Sequence, residues 1–87
     1  MVNTIHLKEL YLNGNPIHFE DAQIIVTEEG YSKSWELWVS GHYFELSVSK
    51  TNKLDMVSVD GKKYEGVAVT DSPNTLLGDG KLIELDN

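Results

Sequence analysis

The chain has 87 residues, the size of a single domain, and it contains no cysteine, so a disulfide or thiolate site is excluded. Fourteen acidic residues face seven basic ones, and the formal net charge is −7. All of the basic residues are lysines. Without arginine, or a basic stripe that displaces counterions from phosphates, direct binding to nucleic acid is not expected.

Membrane insertion is not expected either. No apolar run approaches the length of about 20 residues that a membrane-spanning helix requires. The N-terminal residues lack the charged-then-apolar pattern of a signal peptide. The sequence therefore predicts a cytoplasmic protein with no membrane association, built as one domain over residues 1–87.

The first predicted element is a bent hairpin. Two apolar runs, residues 5–12 and 17–27, flank a turn that we place at Gly14-Asn15. In this register the apolar positions of both strands change face at the same level, near Glu9 and Glu20-Asp21. A sharp bend or a bulge is expected there. A helix over residues 5–12 is the competing interpretation, because several apolar residues of that run have helical spacing.

Residues 35–48 form the most apolar stretch and contain both tryptophans. A two-residue turn at Gly41-His42 would fold this stretch into an antiparallel hairpin whose two faces differ sharply. One face is apolar and consists of Trp35, Leu37, Val39, Phe44, Leu46 and Val48. The other is mostly polar and consists of Glu36, Trp38, Ser40, Tyr43, Glu45 and Ser47. We expect the apolar face to form the centre of the core.

The remaining segments predict further short strands and turns. A polar connection is expected over residues 28–34, a turn over 50–53 and a loop over 71–75. Hairpins are expected around Asp60-Gly61 and around Asp79-Gly80, and Gly66 marks a bulge or a close backbone approach. The sum is an all-β fold, a small antiparallel barrel or sandwich of about seven to eight strands joined by hairpins.

No constellation of residues indicates catalysis or metal binding. The three histidines, His6, His18 and His42, have no metal-ligand spacing, and no cysteine completes a zinc set. The carboxylates are explained as solvated residues of turns and strand faces. Serines occur without a nucleophile-elbow motif. We therefore predict no catalytic, metal or cofactor site, and a protein that is not an enzyme.

The candidate contact face is the outer face of the central hairpin, made of Trp38, Tyr43, Glu45 and Glu36. An exposed tryptophan beside acidic residues has the composition of a protein-contact hot spot. The alternative is that another part of the chain covers Trp38, either residues 28–34 with Tyr31 or the bent first hairpin.

Three functions are compatible with these features. The first is a non-enzymatic interaction module that binds a protein partner or forms a homo-oligomer. The size and the turn-rich strands are similar to those of small proteins from bacteriophages and other mobile elements, which favours a structural component. The second is an acidic inhibitor that mimics nucleic acid, and the third is a small ligand-binding barrel, which would need a cavity.

Overall fold

The structure, a computed structural model, describes residues 1–44 and 51–85, and these residues form eight β-strands and no helix. The all-β prediction is therefore confirmed, and the alternative of a helix over residues 5–12 is wrong. The strands are β1 (Val2–Leu12), β2 (Asn15–Pro16), β3 (Asp21–Glu29), β4 (Ser32–Ser40), β5 (Thr51–Ser58), β6 (Lys63–Ser72), β7 (Thr75–Gly78) and β8 (Ile83–Leu85).

Six of these strands close into an antiparallel barrel. Hydrogen-bonded neighbours follow the order β1, β3, β4, β7, β6, β5, and β5 pairs with β1 to complete the ring. The two short strands are additions, since β2 pairs with β1 and β8 pairs with β6. Closure gives each barrel strand a partner along both edges, so the long strands present little unpaired backbone to other chains.

The expected bend lies in β1. This strand pairs with β3 from Val2 to His6, then passes to β5 through a bulge between Leu7 and Glu9. The extra residue of the bulge turns the apolar side chains that follow it to the opposite face of β1, at the position where the sequence pattern changes face. The turn, however, is Asn13-Gly14 and not Gly14-Asn15: Asn13 has φ 51° and Gly14 has φ 84°, as a type I′ turn requires at both positions.

The predicted hairpin at Gly41-His42 is wrong, although the two faces of β4 were assigned correctly. β4 pairs with β3 over its whole length and with β7 from Glu36 to Trp38. Both of its edges are thus occupied, and residues 42–44 form no strand. The Phe44 amide instead donates to the carbonyl of Pro73 at 2.7 Å. Residues 45–50, which include Glu45, Leu46 and Val48, lie outside the described residues.

Several connections are shorter than the sequence predicted. The polar connection reduces to the turn Gly30-Tyr31, because β3 and β4 pair as far as Glu29 and Ser32. The loop over 71–75 reduces to Pro73-Asn74, and residues 51–53 belong to β5. The predicted last hairpin is also wrong, since β8 pairs with β6 and not with β7. Because β7 pairs with β6 only from Ala68 to Ser72, the same edge of β6 is open to β8 from Lys63 to Glu65.

The barrel interior is filled by its own side chains. Leu37, Ile24, Leu54 and Leu76 are all 0% exposed. At one end the Trp35 ring lies against the backbone of Gly66 on β6 and Gly78 on β7, and its Nε1–H donates to the Gly80 carbonyl at 3.1 Å. The close approach expected at Gly66 is thus made by an indole. The described side chains thus form one buried apolar cluster at the centre of the barrel.

A polar cluster organises the turn between β5 and β6. The buried Ser58 hydroxyl donates to the Asp60 carboxylate and accepts from the Lys62 amide at 3.0 Å. The hydrogen bond from Ser58 is the largest effect that lowers the pKa of Asp60, and the charge of Lys62 contributes in the same direction. The turn therefore holds Asp60 in its ionised form.

We expect Ser58→Ala to raise the pKa of Asp60 toward that of an ordinary aspartate, as followed by NMR titration. Because the folded-state pKa lies below that of the unfolded chain, ionised Asp60 stabilises the fold above the unfolded pKa. This contribution is lost as pH falls through the folded pKa, so the variant should show a weaker acid dependence of stability in that window. Glu65→Gln, on β6 beyond the turn, serves as control and should leave the Asp60 titration unchanged. An unaltered Asp60 pKa in Ser58→Ala would contradict this account.

Candidate functional site

The structure exposes Trp38 on the outer wall of the barrel. It lies two residues before the end of β4 at Ser40, with Gln23 of β3 on one side and Thr75 of β7 on the other. Its side chain is 48% exposed, whereas its neighbours in sequence, Leu37 and Val39, are buried. Alternation along a fully paired strand dictates this result, because residues 37 and 39 fill the interior and residue 38 must then face outward.

The alternatives in which another segment covers Trp38 are not supported by the described residues. Tyr31 is itself fully exposed and lies in the turn at the opposite end of β4. Trp38 is seven positions further along the chain, a distance of about 23 Å in extended strand. The first hairpin bends away through β1 toward β5.

Trp38 forms part of a shallow open depression on this wall, which we call the Trp38 depression. Its lining residues come from β3, β4, the end of β6 and the following turn with β7. They are Asp21, Gln23, Glu36, Trp38, Val39, Ser40, Asp71, Ser72, Asn74 and Thr75. Three of them are carboxylates and none is a lysine. The depression is thus an aromatic side chain surrounded by acidic and neutral polar groups.

The predicted contact residues are brought together only in part. Glu36 lies two positions before Trp38 on the same outward face, and both line the depression. Tyr43 is 77% exposed beyond the end of β4, but it is not one of the lining residues. Glu45 lies outside the described residues. Sequence patterns gave no sign of Asp21 and Asp71, which are distant along the chain. They line the same depression because β3 lies beside β4 and the end of β6 lies beside β7.

A second surface feature lies at the end of the barrel that Trp35 closes. This cleft has an apolar floor of Val26, Trp35 and Leu82, with Lys33 and Lys81 among its other lining residues. The Lys33 ammonium lies 3.4 Å from the Glu28 carboxylate, in an exposed ion pair. A ligand-binding function would have to use an open cleft of this kind, because the interior is packed.

Two tyrosines carry raised pKa values for structural reasons. Burial raises the pKa of Tyr64, and its hydroxyl donates to Glu84 at 3.2 Å, which raises it further. At Tyr11 the main cause is the hydrogen bond that its hydroxyl donates to Glu9 at 3.1 Å. Both hydroxyls are thereby held in their protonated, hydrogen-bond-donating form. The Tyr64 hydroxyl links β6 to β8 and the Tyr11 hydroxyl bonds along β1, and neither is poised to act as a base.

The histidines take unrelated positions. His6 opposes Gln23 across β1 and β3, and His42 packs edge-on against Phe44 with ring centroids 4.9 Å apart. Within residues 1–44 and 51–85, no group of three or more His, Asp or Glu residues has an arrangement that could hold a metal ion. The same residues contain no helix long and apolar enough to cross a membrane.

Comparisons with protein-family models, with curated proteins and with solved structures gave no match to this chain. The Trp38 depression is the surface feature that combines an exposed tryptophan with several carboxylates.

Proposed function

We propose that the protein is a non-enzymatic interaction module that binds a protein partner through the barrel wall around Trp38. The observation that carries the proposal is the half-exposed indole of Trp38, at a position of β4 whose backbone is paired on both sides. Tryptophan is the side chain most enriched at the energetic centre of protein interfaces. Here it is held on a rigid strand, so little conformational entropy is lost when it is covered.

The closed barrel favours contact through side chains over contact through strand edges. Self-assembly by edge pairing, one form of the structural-component hypothesis, needs long unpaired strands. Among the strands of residues 1–44 and 51–85, only the short strands β2 and β8 stand outside the ring, with two and three residues. Association through a wall of the barrel remains, and Trp38 is a large exposed apolar residue on one such wall.

The alternative is an acidic inhibitor that mimics nucleic acid, and the net charge of −7 is its support. A mimic needs a continuous track of negative charge at phosphate spacing. Exposed lysines instead interrupt the acidic surface, as in the pairs Lys53–Glu65 and Lys62–Glu84. A steep loss of affinity with added salt would favour the inhibitor. A contact centred on Trp38 should lose less affinity over the same range of salt concentration.

We expect Trp38→Ala to weaken partner binding at least about thirtyfold, the equivalent of a hot-spot loss of about 2 kcal/mol. The tagged protein is used to isolate partners from an extract of the source organism, and each partner is then purified and titrated against the variants. Val57→Ala is the matched control, because it truncates an outward apolar residue on β5, on the opposite side of the ring.

The proposal requires that the partner bind wild type and Val57→Ala alike while Trp38→Ala loses affinity but keeps its fold. Equal binding by all three proteins would overturn it. Light scattering over a hundredfold range of concentration gives a parallel test. A stable oligomer that persists in Trp38→Ala would replace the proposal with self-assembly through another surface.

A further inference from the structure

We infer that the Trp38 depression recognises a cationic side chain of the partner, an arginine whose guanidinium lies on the indole of Trp38 between the surrounding carboxylates. This inference rests on the proposed function and specifies the chemistry of the partner. It follows from three properties of the depression, namely its charge, its aromatic surface and its lack of self-complementarity.

The charge of the depression has one sign. Asp21, Glu36 and Asp71 line it, and no lysine is found among its described lining residues. Elsewhere on the barrel some carboxylates lie beside a lysine, as in the pairs of Lys33 with Glu28 and Lys53 with Glu65. The carboxylates at the depression also add to the net charge of −7 on the whole chain. A positive group is therefore attracted to this wall both at long range and on contact.

The aromatic surface selects the kind of cation. Tryptophan is the best aromatic partner for a cation, and its indole here is half exposed between the smaller side chains of Gln23 and Thr75. A guanidinium is planar and weakly hydrated, stacks on an indole face and still directs N–H donors toward carboxylates in its plane. An ammonium is a compact and strongly hydrated charge, so lysine should bind less well.

The same charges exclude other occupants of the depression. A two-fold contact between copies of this chain would place the same patch against itself and oppose carboxylate to carboxylate. A phosphate or an anionic lipid surface would be repelled for the same reason. A basic segment of a different protein is the occupant whose charge complements this wall.

The test is an NMR titration of the isotope-labelled protein with three short peptides that differ at one central position, which is arginine, lysine or citrulline. Citrulline keeps the shape of arginine and removes its charge. With the arginine peptide, we expect saturable shifts of the Trp38 indole N–H and of the Glu36 and Asp71 amides, while the buried Trp35 indole stays unchanged. Binding of the citrulline peptide should be at least about tenfold weaker, as for loss of a cation–π contact with its carboxylate partners.

Matched variants separate a specific site from general charge attraction. Glu36→Gln should weaken the affinity for the arginine peptide about twofold to fivefold. Asp55→Asn makes the same change in net charge on β5, on the opposite side of the ring, and should leave the affinity nearly unchanged. Trp38→Leu keeps an apolar side chain but removes the aromatic face, and should weaken binding about threefold to tenfold.

The inference is overturned if Glu36→Gln or Trp38→Leu has no more effect than Asp55→Asn, or if citrulline binds as well as arginine. If the lysine peptide binds as tightly as the arginine peptide, simple charge attraction explains the binding, and stacking of an arginine on the indole is ruled out. These outcomes are distinguishable from failure of the proposed function. If the citrulline peptide binds as well as the arginine peptide, the arginine inference fails, but a partner whose binding depends on Trp38 can still be found. If no such partner is found, the proposed function fails, but the peptide titration keeps its result.

Discussion

Truncation of Trp35 to alanine should lower the free energy of unfolding by about 3–5 kcal/mol, the usual cost of removing a core aromatic side chain. The indole is 5% exposed and closes one end of the barrel. It packs on the backbone of Gly66 and Gly78, two positions where the absence of a side chain makes room for it. The truncation would leave a large cavity and remove the hydrogen bond that the indole now donates to the Gly80 carbonyl at 3.1 Å.

The measurement is urea unfolding of Trp35→Ala beside Trp38→Ala. Trp38→Ala removes a half-exposed ring from the outer wall and should cost less than about 1 kcal/mol. Total stability for a chain of this length is about 4–13 kcal/mol, so Trp35→Ala can approach the limit of folding. Trp35→Phe provides a milder variant in that case. Equal losses from both tryptophans would contradict the assignment of inner and outer faces along β4.

Substitution of Gly78 by alanine should destabilise the protein by about 2–3 kcal/mol, in the upper part of the range for overpacked sites. A Cβ atom built at this position overlaps the Trp35 indole. The indole cannot move aside easily, because it is buried and its Nε1–H is bound to Gly80. Gly66→Ala is a second test of the same contact, since its Cβ would lie 2.6 Å from Cζ2 of Trp35.

A double-mutant cycle identifies the cause of this loss. If overlap with the indole is responsible, Gly78→Ala should cost clearly less in a Trp35→Leu background, because leucine has no atoms at the positions of Nε1 and Cε2, the two indole atoms nearest to the added Cβ. A cost that is the same in both backgrounds would point to backbone strain in β7 and would remove the close approach of the indole as the explanation. The cycle thus tests how the barrel end is closed.

Local patterns predicted the parts of the fold that depend on one strand and its nearest neighbour. The alternation of Trp35, Leu37 and Val39 with Glu36 and Trp38 determines which side of β4 is buried, whatever its partners are. In the same way, the change of apolar parity near Glu9 predicted the bulge in β1, because a bulge is the means by which a strand changes face.

Long-range pairing was not predictable from these patterns. The hairpin at Gly41-His42 had a favourable register, but it competed with β3 and β7 for the edges of β4. β3 pairs with β4 at all nine of its positions, from Asp21 to Glu29, and so occupies one edge of β4 completely. The alternation of a strand carries no information about which strand lies beside it, so the competition is decided only when all pairings are formed together.

The candidate site was likewise predictable only in part from the sequence. From the sequence alone, Trp38 and Glu36 belong to the outer face of one strand, because strand periodicity places every second residue together. Only the tertiary structure adds Asp21 and Asp71, since β3 and the end of β6 reach this wall through the order of strands around the barrel. Composition and periodicity thus determined an acidic all-β domain with an outward tryptophan. Barrel closure decided which charges surround it, because neighbours across a sheet depend on strand order and not on distance along the chain.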